Sequence, residues 1–285
     1  IILMKLSIII PTYNNFDFLK CTYDSIIKNS KYQHEIIFHI NDGSDGTLEF
    51  AKKNKIFYTY SPENIGLCKA ANLAASKSNT NLILYSHDDM FFCKDWDIFL
   101  EKEVIKYKDN LFYLTSVNVS VNKGLINHDC GSVPSEFNEN KFNEFCDKDD
   151  TSDLQGSHWA PHLIHRDLWN KVGGFSEEFN PGDGSDPDLC MKLWKENVRI
   201  YKAISKFKIY HFSSVTTRKK DIELNNGTKT FLLKYGFNPR YFRKYFLRGD
   251  GHKEFLGKLS KPRYELKMIF ELLINKLKYI YFKIF

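Results

Sequence analysis

The chain has 285 residues, of which 42% are hydrophobic and 27% charged. That is enough for one large domain or a medium one with an extension, and an aromatic share of 15% excludes a disordered chain or a disulfide-stapled miniprotein. The net charge of +6 is too mild to mark a nucleic-acid binder, and residues 239–285 hold twelve Lys/Arg against four Asp/Glu, so the basicity belongs to the tail.

In chain order, LSIIIPTYNN reads as a strand running into a loop. Residues 16–29 follow with helical spacing at Phe18, Leu19, Tyr23, Ile26 and Ile27. EIIFHI is a second strand, ended by the turn chemistry of NDGSDGT. A helix over 47–54, the strand IFYTYS, an Ala-rich helix over 67–78 and the strand NLILYS come next. A helix after Asp95 leads to the strand FYLTSVNVSV. Residues 134–153 carry seven acidic side chains against two lysines and are expected to form an exposed loop. Order resumes at HLIHRDLWNKVGGF, followed by a short helix over 189–196 and the strand KFKIYHF. Strands alternating with helices imply βαβ units and a mostly parallel α/β sheet. Beyond about 216 basic helices take over, which predicts a catalytic domain over 1–215 and a helical extension over 216–285.

The cysteines at 21, 68, 93, 130, 146 and 190 form no CxxC pair, so a zinc ribbon is not supported and reduced cytoplasmic thiols are expected. The opening IILMKLSIII is too short for a signal-peptide core, and no stretch of about 18 apolar residues exists to span a bilayer.

Ligands in open α/β sheets sit beyond the carboxyl ends of the strands, and here those ends carry PTYNN, NDGSDGT and SHDDM. GxGxxG and GxxxxGK[ST] are both absent, which disfavours a nicotinamide dehydrogenase or a P-loop enzyme. Asp42 is placed either to accept a hydrogen bond from a base or ribose, or to close an Asx turn. Asp88 and Asp89 are adjacent carboxylates; such a pair is either a solvated loop or a seat for Mg²⁺ or Mn²⁺ holding a diphosphate. Asp186, before Pro187, is either the N-cap of a helix or a functional carboxylate. His211 leaves a strand and is either structural or a ligand.

Taken together, SIIIPTYNN, INDGSDGT, ENIGLCKAANLA, LILYSHDDM, VGGFSEEF with GSDPDLCMKLW, and YHFSS resemble glycosyltransferase family 2, the inverting transferases of GT-A fold, from about residue 5 to 214. The resemblance implies a Rossmann-like, mostly parallel sheet flanked by helices, and a nucleotide-sugar donor that is usually UDP-linked. It implies that Pro11, Thr12 and Tyr13 line the nucleoside pocket and that Asp42 binds the base. Asn64, Gly66 and Lys69 would lie under the donor, Lys69 as a phosphate contact. Asp88 and Asp89 match the metal-binding carboxylate region, Asp88 also touching the donor. His211 matches the third metal contact and Asp186 the catalytic base, which a helix N-terminus is expected to keep ionised. The cofactor would be Mn²⁺ or Mg²⁺, the acceptor a glycan or lipid-linked sugar, with no nucleic acid involved. His158, Trp159 and His162 are candidate acceptor contacts, or a core tryptophan with structural histidines. Asn41, Ser86 and Ser185 depart from the pattern where many members carry acids. They keep alive an alternative, a degenerate member that binds nucleotide-sugar or glycan without catalysis. A sugar-phosphate nucleotidyltransferase would need a Gly-rich triphosphate loop, which PTYNN is not.

Residues 262–285 place Arg263, Lys267, Glu271, Asn275 and Lys278 along one stripe of a helix that is otherwise apolar. Two placements fit: in the plane of a membrane with the basic side chains at the lipid head groups, or packed on the domain or a second subunit.

Overall fold

The structure, a computed structural model, describes residues 4–121, 124–213, 225–251 and 253–284. The apolar run of β1 (Leu6–Tyr13) is buried up to its last residue, as a central strand requires. Helix α1 (Phe16–Asn29) buries Phe18, Leu19 and Ile26 and leads to β2 (Glu35–Asn41), α2 (Thr47–Lys53) and β3 (Phe57–Ser61). Helix α3 (Leu67–Ala75) lays its alanines on the sheet before β4 (Leu82–Tyr85) and β5 (Met90–Phe92). Then come α4 (Trp96–Val104), β6 (Phe112–Ser120), β7 (Ile126–Asn127), α5 (Glu139–Lys148), β8 (Leu154–Gln155) and β9 (His162–His165). They are followed by α6 (Arg166–Val172), α7 (Ser185–Lys195), β10 (Ile200–His211), α8 (Gly227–Tyr235), α9 (Pro239–Phe242) and α10 (Leu266–Ile284).

The sheet runs in the order β3-β2-β1-β4-β9-β6-β10-β5. The pairs β1–β2, β1–β4, β2–β3 and β6–β10 are parallel, while β9 is antiparallel to both its neighbours and β5 to β10. Helices flank it, the architecture of the GT-A fold. The strand order reverses beside β1, where β4 pairs only with Leu6–Ile9. After the bond from the Ser86 N–H to the Ile9 carbonyl (3.0 Å), β4 turns away while β1 continues along β2 to Tyr13. Ile9 bonds toward β4, so the ring nitrogen of Pro11, two residues on, faces the same side, where no strand asks for a donor.

Two stretches differ from the sequence expectation. Within 134–153, residues 139–148 are helical rather than loop: the Asn138 side chain caps the helix by accepting from the Lys141 N–H (2.9 Å), and Phe142 is fully buried against Phe91 and Tyr210. Strand β10 starts at Ile200, six residues before KFKIYHF, and two of its lysines are buried in ion pairs. Lys202 meets Glu103 (2.8 Å) and Asp153 (2.6 Å), and Lys208 meets Asp149 (3.0 Å).

The boundary expected at 215/216 lies outside the described residues. The segments on either side of it are joined. The Gly227 N–H donates to Asp183 Oδ2 (2.9 Å), the Gln155 side chain donates to the Leu247 carbonyl (3.1 Å), and Asp188 anchors α8. The buried Asp188 carboxylate accepts from Tyr235 (2.6 Å) and Ser176 (2.7 Å) and pairs with Lys234 at 2.8 Å. Replacing Asp188 with Ala leaves the Tyr235 and Ser176 hydroxyls without this acceptor, while Lys234 keeps Glu178, and is expected to cost about 2–3 kcal/mol. Urea unfolding of Asp188→Ala checks this, with Tyr235→Phe as the milder companion at about 1 kcal/mol.

Candidate active site

The loop between β4 and β5 is pinned from beneath. The buried Thr22 hydroxyl of α1 donates to the Asp88 carbonyl (2.9 Å) and accepts from the Met90 N–H (3.0 Å). Held this way, Asp89 receives His211 Nε2 at 3.1 Å, across the antiparallel pairing of β5 with the end of β10. His87 Nδ1 lies 4.0 Å from the same Asp89 oxygen. One ligand atom from each of His87, Asp89 and His211 lies within 4.8 Å of the other two. Two imidazoles and a carboxylate suit a transition-type divalent ion such as Mn²⁺ better than Mg²⁺, which favours oxygen alone. Burial pushes the His87 imidazole down to about 4, so it stays neutral and able to ligate. Burial works against the charge of His211 too, but Asp89 wins and holds that imidazole above its ordinary range.

Of the three residues expected at a metal, the structure thus brings Asp89 and His211 together and adds His87. The Asp88 carboxylate turns to Thr12, whose hydroxyl donates to it at 2.6 Å. Burial, reinforced by Asp89, pushes Asp88 up to about 7. His87 escaped the sequence reading because the acidic pair beside it drew the weight.

The neighbouring strand ends form the other walls. Asp42 sits in the left-handed region (φ 63°), and the Asn14 side chain donates to its carboxylate at 2.6 Å. Asn14 also accepts from the Gly43 N–H (2.9 Å), so it clamps the turn. Pro11 and Thr12 are buried and Tyr13 half-buried. Asn64 is exposed and accepts from the Gly66 N–H (3.0 Å). Gly66 has φ 82°, and a Cβ there would strike the Asn180 side chain, which also caps α3 by accepting from the Cys68 N–H (3.0 Å). Lys69 is exposed on the first turn of α3.

Asp186 is not a cap. Gly184, left-handed at φ 83°, occupies the N-cap position, and Asp186 stands inside the first turn of α7. Its carboxylate has no hydrogen-bond partner among the described residues and lines a cavity of about 330 Å³ with His158, Trp159, Pro187, Thr228 and Pro239. Burial pushes it up to about 7, which corrects the expectation that the helix terminus keeps it firmly ionised. The buried Tyr85 hydroxyl feels both halves of the site: its ionisation is opposed by burial first, then by Asp186, Cys68, Asp88 and Asp89. Tyr85 is thus a neighbour that both halves of the site act on, a link no spacing in the sequence signals.

The three acceptor candidates separate. His158 and Trp159 line the Asp186 cavity, where Trp159 is fixed by its indole N–H donating to the Ser116 carbonyl at 3.0 Å. Burial holds the His158 imidazole down near 4. His162, by contrast, is sealed in the core between Tyr85 and Tyr113, bonded to the Tyr113 hydroxyl at 3.0 Å. With no exposed surface it has nothing to offer an acceptor.

This architecture and its strand-end residues define a glycosyltransferase-type α/β domain. Residues 7–173, more than half of the chain, match the family model described as Glycosyl transferase family 2, and the chain belongs to that family. It is 29% identical over 113 residues to Glycosyltransferase GlyA of Streptococcus pneumoniae, a stretch covering 38% of this chain and 16% of that relative. The curated relatives it matches are thus far longer, with 13% and 16% of their lengths aligned. Among solved structures, GalNAc-T7 with UDP, GalNAc and Mn²⁺ superposes with a TM-score of 0.60 at 16% identity, covering 86% of this chain and 50% of that one. TarS of S. aureus with UDP-GlcNAc gives 0.56 at 16% identity over 97% of this chain and 81% of that one. These likenesses establish the fold.

The cluster predicts that Mn²⁺ binds the chain alone, measured by calorimetry, and binds more weakly as pH falls because the imidazoles must be neutral. Asp89→Ala and His87→Ala are expected to weaken it by about 10–100-fold or more, and Asp88→Asn by less. Equal loss in all three would place Asp88 among the ligands.

Proposed function

We propose that the chain is a metal-dependent inverting glycosyltransferase, moving a sugar from a UDP-linked donor to a glycan or lipid-linked acceptor. The observation that carries this is Asp186: a carboxylate without a hydrogen-bond partner among the described residues, lining an open cavity, with the buried Tyr85 hydroxyl feeling the charge both of it and of Asp89 in the divalent-cation cluster. The complexes of TarS with UDP-GlcNAc and of GalNAc-T7 with UDP and Mn²⁺ support the donor class and the ion. In this reading residues 1–215 form the catalytic part and 216–285 an extension. All six cysteines are free thiols, which supports a reducing, cytoplasmic setting.

A divalent ion at His87, Asp89 and His211 would supply positive charge where the departing diphosphate gathers negative charge. The protein's own residues do the rest. Pro11, Thr12 and Tyr13 line the nucleoside pocket, and Asp42, oriented by Asn14, accepts from the base. Lys69 reaches toward phosphate, and Gly66 lets the backbone lie close beneath the donor. His158 and Trp159 hold the acceptor in the cavity of Asp186. As the acceptor oxygen forms its bond to the anomeric carbon, the bond from that carbon to the diphosphate oxygen breaks. The hydroxyl proton passes to Asp186, and a single in-line displacement inverts the centre.

Asp186→Asn is expected to keep UDP affinity and lose about 10²–10⁴-fold in transfer, measured as product formed and UDP released on one preparation. Near-normal transfer would overturn the assignment. Because the base acts only when ionised and burial has raised it to about 7, kcat/KM should fall about tenfold per unit below that pH and level above it, at saturating Mn²⁺. A profile flat down to pH 5 would remove Asp186 from the proton transfer.

A further inference from the structure

Helix α10 has two faces of opposite use. Met268, Glu271 and Asn275 turn inward. The Tyr241 hydroxyl donates to the Met268 carbonyl (3.4 Å), the Asn238 N–H donates to Asn275 (2.9 Å), and Lys244 pairs with Glu271. Two members of the stripe expected at lipid head groups therefore face the protein. Directly opposite, Leu266, Phe270, Leu273, Leu277, Tyr281 and Ile284 are each more than half exposed. With about 100° between successive residues, Lys267 and Lys278 fall along one border of that outward stripe and Lys276 and Lys283 along the other. All four lysines are exposed, and the helix's single acid is the inward Glu271.

We infer that this outward face lies in the plane of an anionic lipid surface, presenting the catalytic domain to an acceptor carried by that surface; the acceptor clause rests on the transferase reading above. An apolar stripe with lysines on both borders seats leucines in the acyl boundary while the ammonium groups reach the head groups. A second copy of the chain fits poorly, because lysine borders would meet lysine borders with no acid on the outward half to offset them. No helix among the described residues is long and apolar enough to cross a membrane, and the lysines along α10 suit an in-plane placement. The placement also bears on the chemistry. The elements that carry α10 are α8 and α9, and Thr228 of α8 and Pro239 of α9 line the Asp186 cavity. One layer of helix therefore separates the lipid-facing stripe from the wall where the acceptor would enter.

The test is cosedimentation of the full chain with vesicles of phosphatidylglycerol and phosphatidylcholine, against phosphatidylcholine alone. Binding to the anionic vesicles, released by high salt, is expected. The triple variant Lys267→Gln, Lys278→Gln, Lys283→Gln should lower partitioning about a hundredfold, roughly fivefold per lysine. Leu273→Glu with Leu277→Glu should abolish it. All these positions are exposed, so the variants should fold, and their UDP-sugar hydrolysis in solution should match the parent's. No binding by the parent, or binding indifferent to lipid charge, overturns the inference. So does a dimer in sedimentation velocity that Leu277→Glu dissociates, which assigns the face to a second copy. Absent hydrolysis with intact vesicle binding would instead count against the transferase reading and remove only the acceptor clause.

Discussion

The site depends on the early parting of β4 from β1. As long as the two strands are paired, their backbone groups satisfy one another and leave no room for a ligand. After Ile9 the pairing stops, and Pro11 removes the donor that would otherwise be left without a strand to receive it. The freed end of β1 can then turn the Thr12 hydroxyl to Asp88 while β2 still holds its other side. Every strand-end residue of the candidate site is placed by this asymmetry. Asp42 follows β2, the acidic loop follows β4, and His211 arrives from β10 through the short antiparallel β5.

What could be read from the chain, and what could not, follows the same physics. Helix α1 has the residues its spacing predicts, Phe16–Asn29, with Phe18, Leu19 and Ile26 on its buried face. The first half of β10 was hidden because it carries a lysine, and only Glu103 and Asp153, distant in sequence, make a buried Lys202 tolerable. The apolar positions Phe142, Phe145 and Cys146 have helical spacing, yet the acidic and Asn-rich composition around them pointed to a loop. In the site, the residue types were legible and their partners were not. Nothing in HDD announces that the histidine joins Asp89 while Asp88 turns to a threonine on another strand. Nor does GSDPD show that a glycine takes the cap and leaves Asp186 without a partner among the described residues.

That lack of a partner separates two carboxylates which burial has brought to a similar level. Asp88 and Asp186 are both pushed up to about 7 by burial, which Asp89 reinforces at Asp88. Asp88 also has a neighbour of like charge and a threonine donor, so charge neutralised at Asp89 would remove the smaller of the two causes that hold it up and leave burial. Asp186 has only burial acting on it, so its proton affinity answers to how wet the cavity is. Filling that cavity with an acceptor would dry it further and strengthen its hold on a proton taken from that acceptor.

The same cavity explains why the basic tail is more than an appendage. Its far wall, Thr228 and Pro239, belongs to the helices after residue 225, and those helices are held to the sheet domain through Asp188, two residues beyond Asp186. The first turn of α7 thus faces two ways. Asp186 looks into the cavity with no hydrogen bond among the described residues, and Asp188 is saturated by Tyr235, Ser176 and Lys234. The carboxylate that faces the cavity is held in place by one committed to hydrogen bonds. Since Asp188 is what draws α8 against α7, and α8 with α9 carries α10, the position of the lysine-bordered helix is tied to the same turn that positions the candidate base.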